Sequence, residues 1–249
     1  MLRQLSGLLL LLLVPLSASA SSIEGDARAL ERVEQMLAAL GGRSLWAEAR
    51  SLHTIERARH PDYGDGIEAN MWHNLEAPGE YAHLIHSQVE IKRGRDEDGG
   101  WVKKDSDLRD YSEEEVQKRI FYWHRDMYTL YHQLAKGERK LTVRAIEPDG
   151  ILVLDENGED VAKFKLSPDG QVYYWELLGG KGERAFIYGP HRNFGEVRFP
   201  DWGTSTDGSW SSYYLQVRPS RRSFAANVNL AKPDERFSGG ALVKEKCRE

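Results

Sequence analysis

The chain has 249 residues, with 34 Lys and Arg against 39 Asp and Glu, and its formal net charge is −5 at pH 7. This length predicts one large or two small domains and is ample for a sizeable core. The acidic balance excludes the basic surface that is typical of nucleic-acid-binding proteins, and the single cysteine, Cys247, excludes a disulfide framework.

Residues 1–20 have the pattern of a cleavable secretory signal peptide. Arg3 is followed by an apolar run from Leu8 to Leu16, and the small residues Ala18-Ser19-Ala20 end the segment. This run is too short for the roughly 20 residues that cross a bilayer as a helix. We therefore expect cleavage after Ala20 and export to the periplasm; an uncleaved anchor is the alternative. The predicted organisation is a signal peptide over 1–20, a single domain over 21–240 and a polar C-terminal tail over 241–249.

The remaining chain begins with two predicted helices. Residues 26–40 carry apolar side chains at helical spacing, and Gly41-Gly42 supplies a glycine C-terminal cap. A short second helix is predicted over 44–50. Beyond residue 51 the apolar period changes toward two, and clusters of Gly, Pro, Asn and Asp separate short segments, which predicts strands joined by tight turns. A third helix, over 112–136, interrupts this series of strands.

The predicted fold class is α+β. Successive short strands with tight turns favour an antiparallel sheet over parallel βαβ units. About 10–12 strands are expected, and a sheet of that width tends to curl or close. We therefore predict a strongly curved antiparallel β-sheet, an incomplete barrel, with about three helices packed in or over its concave face.

The helix over 112–136 carries the strongest local signals. Ser112 and Glu115 form a capping-box pattern at its start. At about 100° per residue, one side of this helix is a single apolar stripe. The stripe consists of Val116, Ile120, Trp123, Met127, Leu130, Tyr131 and Leu134. Arg125 and Asp126 are expected on the opposite, polar side.

His124 and His132 lie on one shoulder of this stripe. Residues eight apart on a helix are ~12 Å apart along its axis, which is too far for two ligands of one metal ion. Their expected role is packing at the rim of the core, with the polar tips in water. The sequence has no HExxH zinc helix and no GxSxG nucleophile elbow. We therefore predict no catalytic residue, no metal site and no cofactor, and a hydrolase or metal enzyme is the least favoured hypothesis.

An aromatic helix face that contains methionine can line an apolar cavity. Curved sheets and barrels hold ligands in such cavities, and Met adapts to irregular apolar partners. A lipid or an acyl chain is the ligand that this surface fits. The predicted ligand-binding residues are Trp123, Met127, Leu130 and Tyr131 on the helix and Trp72 and Trp101 on strands.

Four short motifs follow one another along the chain. They are Leu40-Gly41-Gly42, Trp46 on the short helix, the hairpin Gly99-Gly100-Trp101, and Val228-Asn229-Leu230 at the end of the strands. Their order over residues 26–240 resembles the periplasmic lipoprotein-carrier-fold superfamily, the outer-membrane lipoprotein-sorting proteins that include LolA, LolB and RseB. The resemblance implies an incomplete antiparallel barrel with helices plugging its concave side and an apolar cavity that accepts acyl chains.

The same resemblance implies a function. It predicts a soluble periplasmic carrier for a lipid, an acyl chain or a lipidated protein, with a role in outer-membrane lipoprotein sorting and no membrane span after cleavage. Arg57 and Arg59 are the candidates for the carriers' functional arginine, and surface charge is the expected role of each. The alternative is a periplasmic interaction or envelope-sensor module with a filled core, no cargo and an envelope protein as partner.

Overall fold

The computed structural model describes residues 23–137, 140–180 and 184–233. The predicted signal peptide, residues 1–20, and the predicted polar tail, residues 241–249, lie outside the described residues. The described part of the chain forms sixteen strands and five helices. Both numbers exceed the expected 10–12 strands and three helices, because several strands have only two to five residues and lack a readable period.

The helices are α1 (Ala27–Ala39), α2 (Arg43–Glu48), α3 (Glu113–Trp123), α4 (Met127–Lys136) and α5 (Phe224–Asn227). The strands of the first half are β1 (Glu24–Gly25), β2 (Ser51–His60), β3 (Gly64–Asn74), β4 (Glu80–His86), β5 (Val89–Arg95), β6 (Gly100–Lys104) and β7 (Asp107–Asp110). The strands of the second half are β8 (Thr142–Ile146), β9 (Gly150–Leu154), β10 (Asp160–Leu166), β11 (Val172–Leu177), β12 (Arg184–Tyr188), β13 (His191–Phe194), β14 (Val197–Pro200), β15 (Trp202–Ser205) and β16 (Ser211–Ser220).

Fourteen of the strands form one sheet in the order β1-β8-β9-β10-β11-β12-β15-β16-β2-β3-β4-β5-β6-β7. The short strand β1 pairs with β8 in parallel, and the other neighbours in the sheet are antiparallel. Two meanders run outward from the central pair of β16 and β2, and β13 and β14 form a separate hairpin. The sheet is strongly curved and does not close. The predicted α+β class with an open curved sheet is therefore confirmed.

The core lies between the sheet and the helices that cover one of its faces. Met36 of α1, Trp46 of α2 and Tyr131 of α4 are fully buried there. The Tyr131 ring lies 5.3 Å from the Trp46 ring and 5.7 Å from the ring of Phe164 on β10. Full burial of one large apolar side chain contributes about 1.5–3 kcal/mol. These contacts fix α4 against the sheet, and we call this side of the sheet the helix-covered face.

The predicted helix over 112–136 is wrong as a single element. It is broken into α3 and α4, although the predicted capping box of Ser112 and Glu115 is present. At the break, the Asp126 side chain accepts hydrogen bonds from the backbone N–H groups of Tyr128 and Thr129, 3.0 and 3.3 Å away. Asp126 is therefore the N-cap of a new helix, a role that Asp fills well because its oxygen satisfies otherwise unpaired N–H groups.

The break also changes the surroundings of residues predicted to face water. Arg125 is buried and donates hydrogen bonds to the carbonyls of Leu178 and Phe121. His132 is buried rather than placed at the rim, and its Nδ1 lies 2.8 Å from the Trp46 carbonyl oxygen. The prediction of a solvated position for His132 is wrong, because α2 packs over the shoulder of α4 that carries it.

A pair of substitutions at Asp126 tests the helix break. Asn and Ala both remove the carboxylate charge, but only Asn keeps an oxygen that can cap α4. We expect Asp126→Ala to have a free energy of unfolding about 1 kcal/mol lower than that of Asp126→Asn, measured by urea denaturation at pH 7. Equal free energies of unfolding for the two variants would contradict the capping role.

Candidate functional site

Two adjoining cavities lie on the helix-covered face. The first, which we call the central cavity, has a volume of about 310 Å³ and lies between α3, α4 and the sheet. Its aromatic and apolar wall includes Trp123, Met127, Tyr128, Trp175, Leu177, Phe186, Tyr188 and Tyr214. Its ionisable residues include Glu56, His73, Glu80, Arg93, Arg95, Arg119, Asp126 and Arg184. An apolar wall and a concentrated set of charges thus face the same space.

The second cavity, which we call the apolar trough, has a volume of about 420 Å³. Strands β2 to β5 supply most of its floor, through Ala58, Ile67, Ala69, Leu84, Val89 and Ile91. It shares part of its lining with the central cavity, namely Glu56, Met71, Arg93, Arg119, Arg184 and Trp210. The two cavities therefore meet at a boundary that carries arginine side chains.

The strand register explains this arrangement. His73, Glu80 and Arg95 are consecutive partners across β3, β4 and β5, so they form one row. Two residues further along the strands, side chains return to the same face, and the next row ends in Arg93. The row after that ends in Ile91. Charged rows thus give way to an apolar row within one face of the sheet.

Glu80 joins two of the arginines. Its Oε1 accepts a hydrogen bond from Arg93 Nε at 2.6 Å, and its Oε2 accepts one from Arg95 Nη2 at 3.2 Å. Burial acts to raise the pKa of Glu80, but the two guanidinium groups outweigh it and hold the pKa well below its ordinary value. Glu80 is consequently ionised, and the pair of cations beside it carries an excess positive charge.

Two other carboxyl groups have the opposite shift. Glu56 is only 2% exposed, and burial raises its pKa to about 7. Burial also raises the pKa of Asp126 to about 6, against the effect of the backbone hydrogen bonds that it accepts as a cap. His73 is neutral at pH 7, because burial lowers its pKa to about 4. The arginines are therefore only partly balanced by carboxylates near neutral pH.

The predicted ligand residues divide into three groups. Trp123 and Met127 line the central cavity, and Trp123 Nε1 donates to the Asn74 carbonyl at 2.7 Å. Leu130 and Tyr131 lie in the packed core, where both are fully buried. Of the four helix residues predicted to bind the ligand, the structure therefore brings Trp123 and Met127 to the cavity wall.

Trp72 and Trp101 lie on the opposite face of the sheet. The neighbours of Trp72 on β3 line the central cavity, so Trp72 points away from it, and its ring stacks on the His53 ring at 4.3 Å. Trp101 lies over Gly94, and its Nε1 donates to the Leu230 carbonyl at 2.9 Å. The six predicted residues thus do not form one site, and their ligand-binding role stays a prediction.

The charged residues of the cavities were missed in the sequence. Arg57 and Arg59, the arginines singled out there, are exposed on the outer face of β2. Arg93 and Arg95 face the cavities instead, and their spacing of two around Gly94 was the available signal. It was weak, because polar residues at this period usually mark the solvated face of a strand. Among the described residues, no group of three or more His, Cys, Asp or Glu is arranged to hold a metal ion.

Replacement of Glu56 by Gln tests its burial in an uncharged form. The pKa of this carboxyl is about 4.5 in the unfolded chain and about 7 in the folded chain. Its contribution to stability is fully present below pH 4.5 and is lost as the pH rises through about 7. Between pH 6.5 and 8.5, the free energy of unfolding of the unmodified chain should fall by about 1 kcal/mol more than that of Glu56→Gln. His73 and Asp126 are present in both proteins, so the pH dependence that they contribute themselves largely cancels in this difference. Parallel pH profiles would exclude the raised pKa.

Comparison with known proteins gives matches in structure alone. No family model matches this sequence, and no curated protein matches it. A LolA-superfamily protein from Nitrosomonas europaea aligns with a TM-score of 0.42 at 10% identity, covering 78% of this chain and 92% of that one. An outer membrane lipoprotein-sorting protein domain from Vibrio parahaemolyticus, described as putative in its own name, aligns with a TM-score of 0.32 at 8% identity and the same coverage.

MucB also aligns, with a TM-score of 0.21 at 13% identity, covering 86% of this chain and 62% of MucB. None of the helices among the described residues is long and apolar enough to cross a membrane. The open, curved antiparallel sheet with its helix-covered face is the fold that the resemblance of the sequence motifs predicted.

Proposed function

We propose that this protein is a carrier or binding protein that holds an acyl chain, free or as part of a lipid or lipidated protein, in the apolar trough. The observation that carries the proposal is the trough itself, a space of about 420 Å³ floored by apolar side chains of β2 to β5. Small-molecule sites are concave, mostly apolar and about 300–1,000 Å³ in volume. The proposal assigns binding and no catalysis.

Small side chains leave room in the trough. Ala58 and Ala69 are partners of Ser212 and Leu84 on neighbouring strands, and neither reaches far from the sheet. A larger residue at either position would fill part of the space that a chain needs. Met71 lines the boundary with the central cavity, and its unbranched side chain adapts to ligands of irregular shape.

Export to the periplasm is part of the proposal. It is supported by the signal-peptide pattern of residues 1–20 in the sequence. A periplasmic carrier would shield an acyl chain from water between two membranes, and apolar burial of about 0.8 kcal/mol per CH₂ group would drive the loading. Lipoprotein sorting to the outer membrane is the process in which such a carrier would act.

A periplasmic interaction or sensor module without cargo is the second candidate. The exposed side chains of Tyr213 and Leu215 on the outer face of β16 favour it, because large apolar residues on a surface often mark protein contacts. If the interaction module had a filled core, it would contain no ligand-sized cavity. The volume of the trough favours the carrier over a module with a filled core.

Ligand content and a cavity-filling variant test the carrier function. The protein purified from its native compartment should yield an acyl-containing compound in organic extracts analysed by mass spectrometry. The emptied protein should bind a fluorescent fatty acid, and Ala69→Phe should weaken this binding at least about tenfold, because the ring occupies the trough. Glu68→Phe is the matched control, since it adds the same ring at the adjacent, exposed position on the outer face.

The control variant should bind the fluorescent fatty acid as the unmodified protein does. Circular dichroism establishes that both variants are folded. A protein that yields no acyl compound and binds no fatty acid would remove the basis of the carrier function, and a stable envelope protein in pull-downs would then favour the second candidate. If Ala69→Phe and Glu68→Phe change the affinity for the fatty acid equally, the ligand does not bind in the apolar trough.

A further inference from the structure

Arg95 is a buried cation with unused hydrogen-bond donors. Only 7% of the residue is exposed, and its Nη2 donates to Glu80. Its Nε and Nη1 are buried and have no hydrogen-bond partner among the described residues. An unsatisfied buried donor destabilises the fold, and it does so more strongly when it is charged. Arg95 lines the central cavity, so a ligand there can reach these donors.

Two more arginines lie near Arg95, at the boundary between the central cavity and the apolar trough. Arg93 lies two residues before Arg95 on the helix-covered face of β5, and Arg119 extends from α3. Arg119 is half-buried and makes no ion pair with a carboxylate among the described residues. Burial lowers its pKa, and the nearby charge of Arg93 lowers it further. These cations repel one another, and an anion between them would relieve the repulsion.

A purely structural ion-pair network does not account for this arrangement. Among the described residues, Glu80 is the carboxylate that forms ion pairs with Arg93 and Arg95, and no carboxylate forms one with Arg119. Glu80 contacts Arg95 through a single nitrogen, although a guanidinium can bind an oxyanion through two parallel donors. Buried ion pairs also contribute little net stability. A second oxyanion that accepts a hydrogen bond from Nε or from Nη1 of Arg95 would satisfy a donor that Glu80 leaves unused.

We propose that Arg95, assisted by Arg93 and Arg119, binds the anionic group of an amphiphile, a carboxylate or a phosphate, whose acyl chain lies in the apolar trough. This inference rests on the proposed carrier function and adds the chemical class of the ligand. Arg93 and Arg119 line both cavities, so the charged end lies at their boundary. From the row of Arg93 to the row of Val89 the strand advances ~13 Å, which is space for the chain beyond the head group.

The test compares ligands that share a chain and differ in charge. Decanoate, decyl phosphate and the neutral decanol are titrated into the emptied protein, with inorganic phosphate as a separate arm. Both anionic amphiphiles should bind at least about tenfold more tightly than decanol, because a close, desolvated charge pair increases affinity by about tenfold or more. Inorganic phosphate alone should bind far more weakly, since it gains nothing from the trough.

The variant Arg95→Gln should abolish most of the preference for the anionic amphiphiles and leave decanol binding unchanged. Arg57→Gln is the matched control, because it removes the same charge from the exposed outer face of β2 and should keep the preference. Should Arg95→Gln fail to fold by circular dichroism, Arg119→Gln supplies the same measurement, since it breaks no ion pair among the described residues. It should reduce the preference about threefold or more.

Each remaining outcome decides one of the two proposals. If decanol, decanoate and decyl phosphate bind equally, and neither Arg95→Gln nor Arg119→Gln changes their binding, the proposed recognition of an anionic head group is wrong. The carrier function would then still stand. Absence of binding by all three amphiphiles would overturn the carrier function. If inorganic phosphate alone binds tightly and Arg95→Gln loses this binding, the site binds a free anion. That result would overturn the proposal that the ligand is an amphiphile.

Discussion

The pairing of β2 with β16 is the constraint on which the rest of the structure depends. These strands have ten residues each and join residues 51–60 to residues 211–220 as an antiparallel pair with one bulge, at Leu215. The pair holds together two meanders that would otherwise be separate half-sheets, and each further strand is added outward from it. The closure of so long a loop is costly in entropy, so the native contacts of both halves must stabilise this pair.

The register of that central pair also decides what the cavities contain. It places Glu56 beside Tyr214 and Ala58 beside Ser212 on one face, and the pleat carries this choice into β3, β4 and β5. A shift by one residue would exchange every inward side chain for an outward one. Arg57 would then face the helices, and Glu56 would face water. The register of β2 and β16 therefore places both Glu56, with its raised pKa, and Ala58, one of the small residues of the trough, on the helix-covered face.

Buried charge is the feature that apolar packing alone does not explain. Glu80, Arg93 and Arg95 occupy positions where apolar residues of similar size would cost the fold less, and the unused donors of Arg95 add to the cost. On the same strands, the row after that of Arg93 presents Ile91 and Leu84, so charged and apolar surfaces follow each other within one continuous groove. This sequence of surfaces matches an amphiphile, whose charged end and apolar chain need these two environments in the same order.

The break between α3 and α4 positions the helices over this groove. Asp126 ends one helical path and begins the next, which lets Tyr131 enter the core while Trp123 stays at the cavity wall. Arg125 supports the turn through carbonyls of both α3 and the end of β11. On a single straight helix, Trp123, Met127, Leu130 and Tyr131 would lie on one stripe, as the periodicity predicts. The break separates them, and Tyr131 packs on Trp46 in the core.

Local signals in the sequence determined the class of the fold. Period-two segments, glycine-rich turns, the capping box at Ser112 and the glycine cap of α1 each depend on neighbours within a few residues, and among the described residues the capping box and the glycine cap are present. Which face of each strand is inward, and which arginines meet, depends on pairing across more than a hundred residues. Arg57 and Arg95 look alike in the sequence, because both alternate with other side chains in a strand. Only the tertiary structure buries Arg95 beside Glu80 and leaves Arg57 in water, since the register set by β2 and β16 fixes the inward face for the whole sheet.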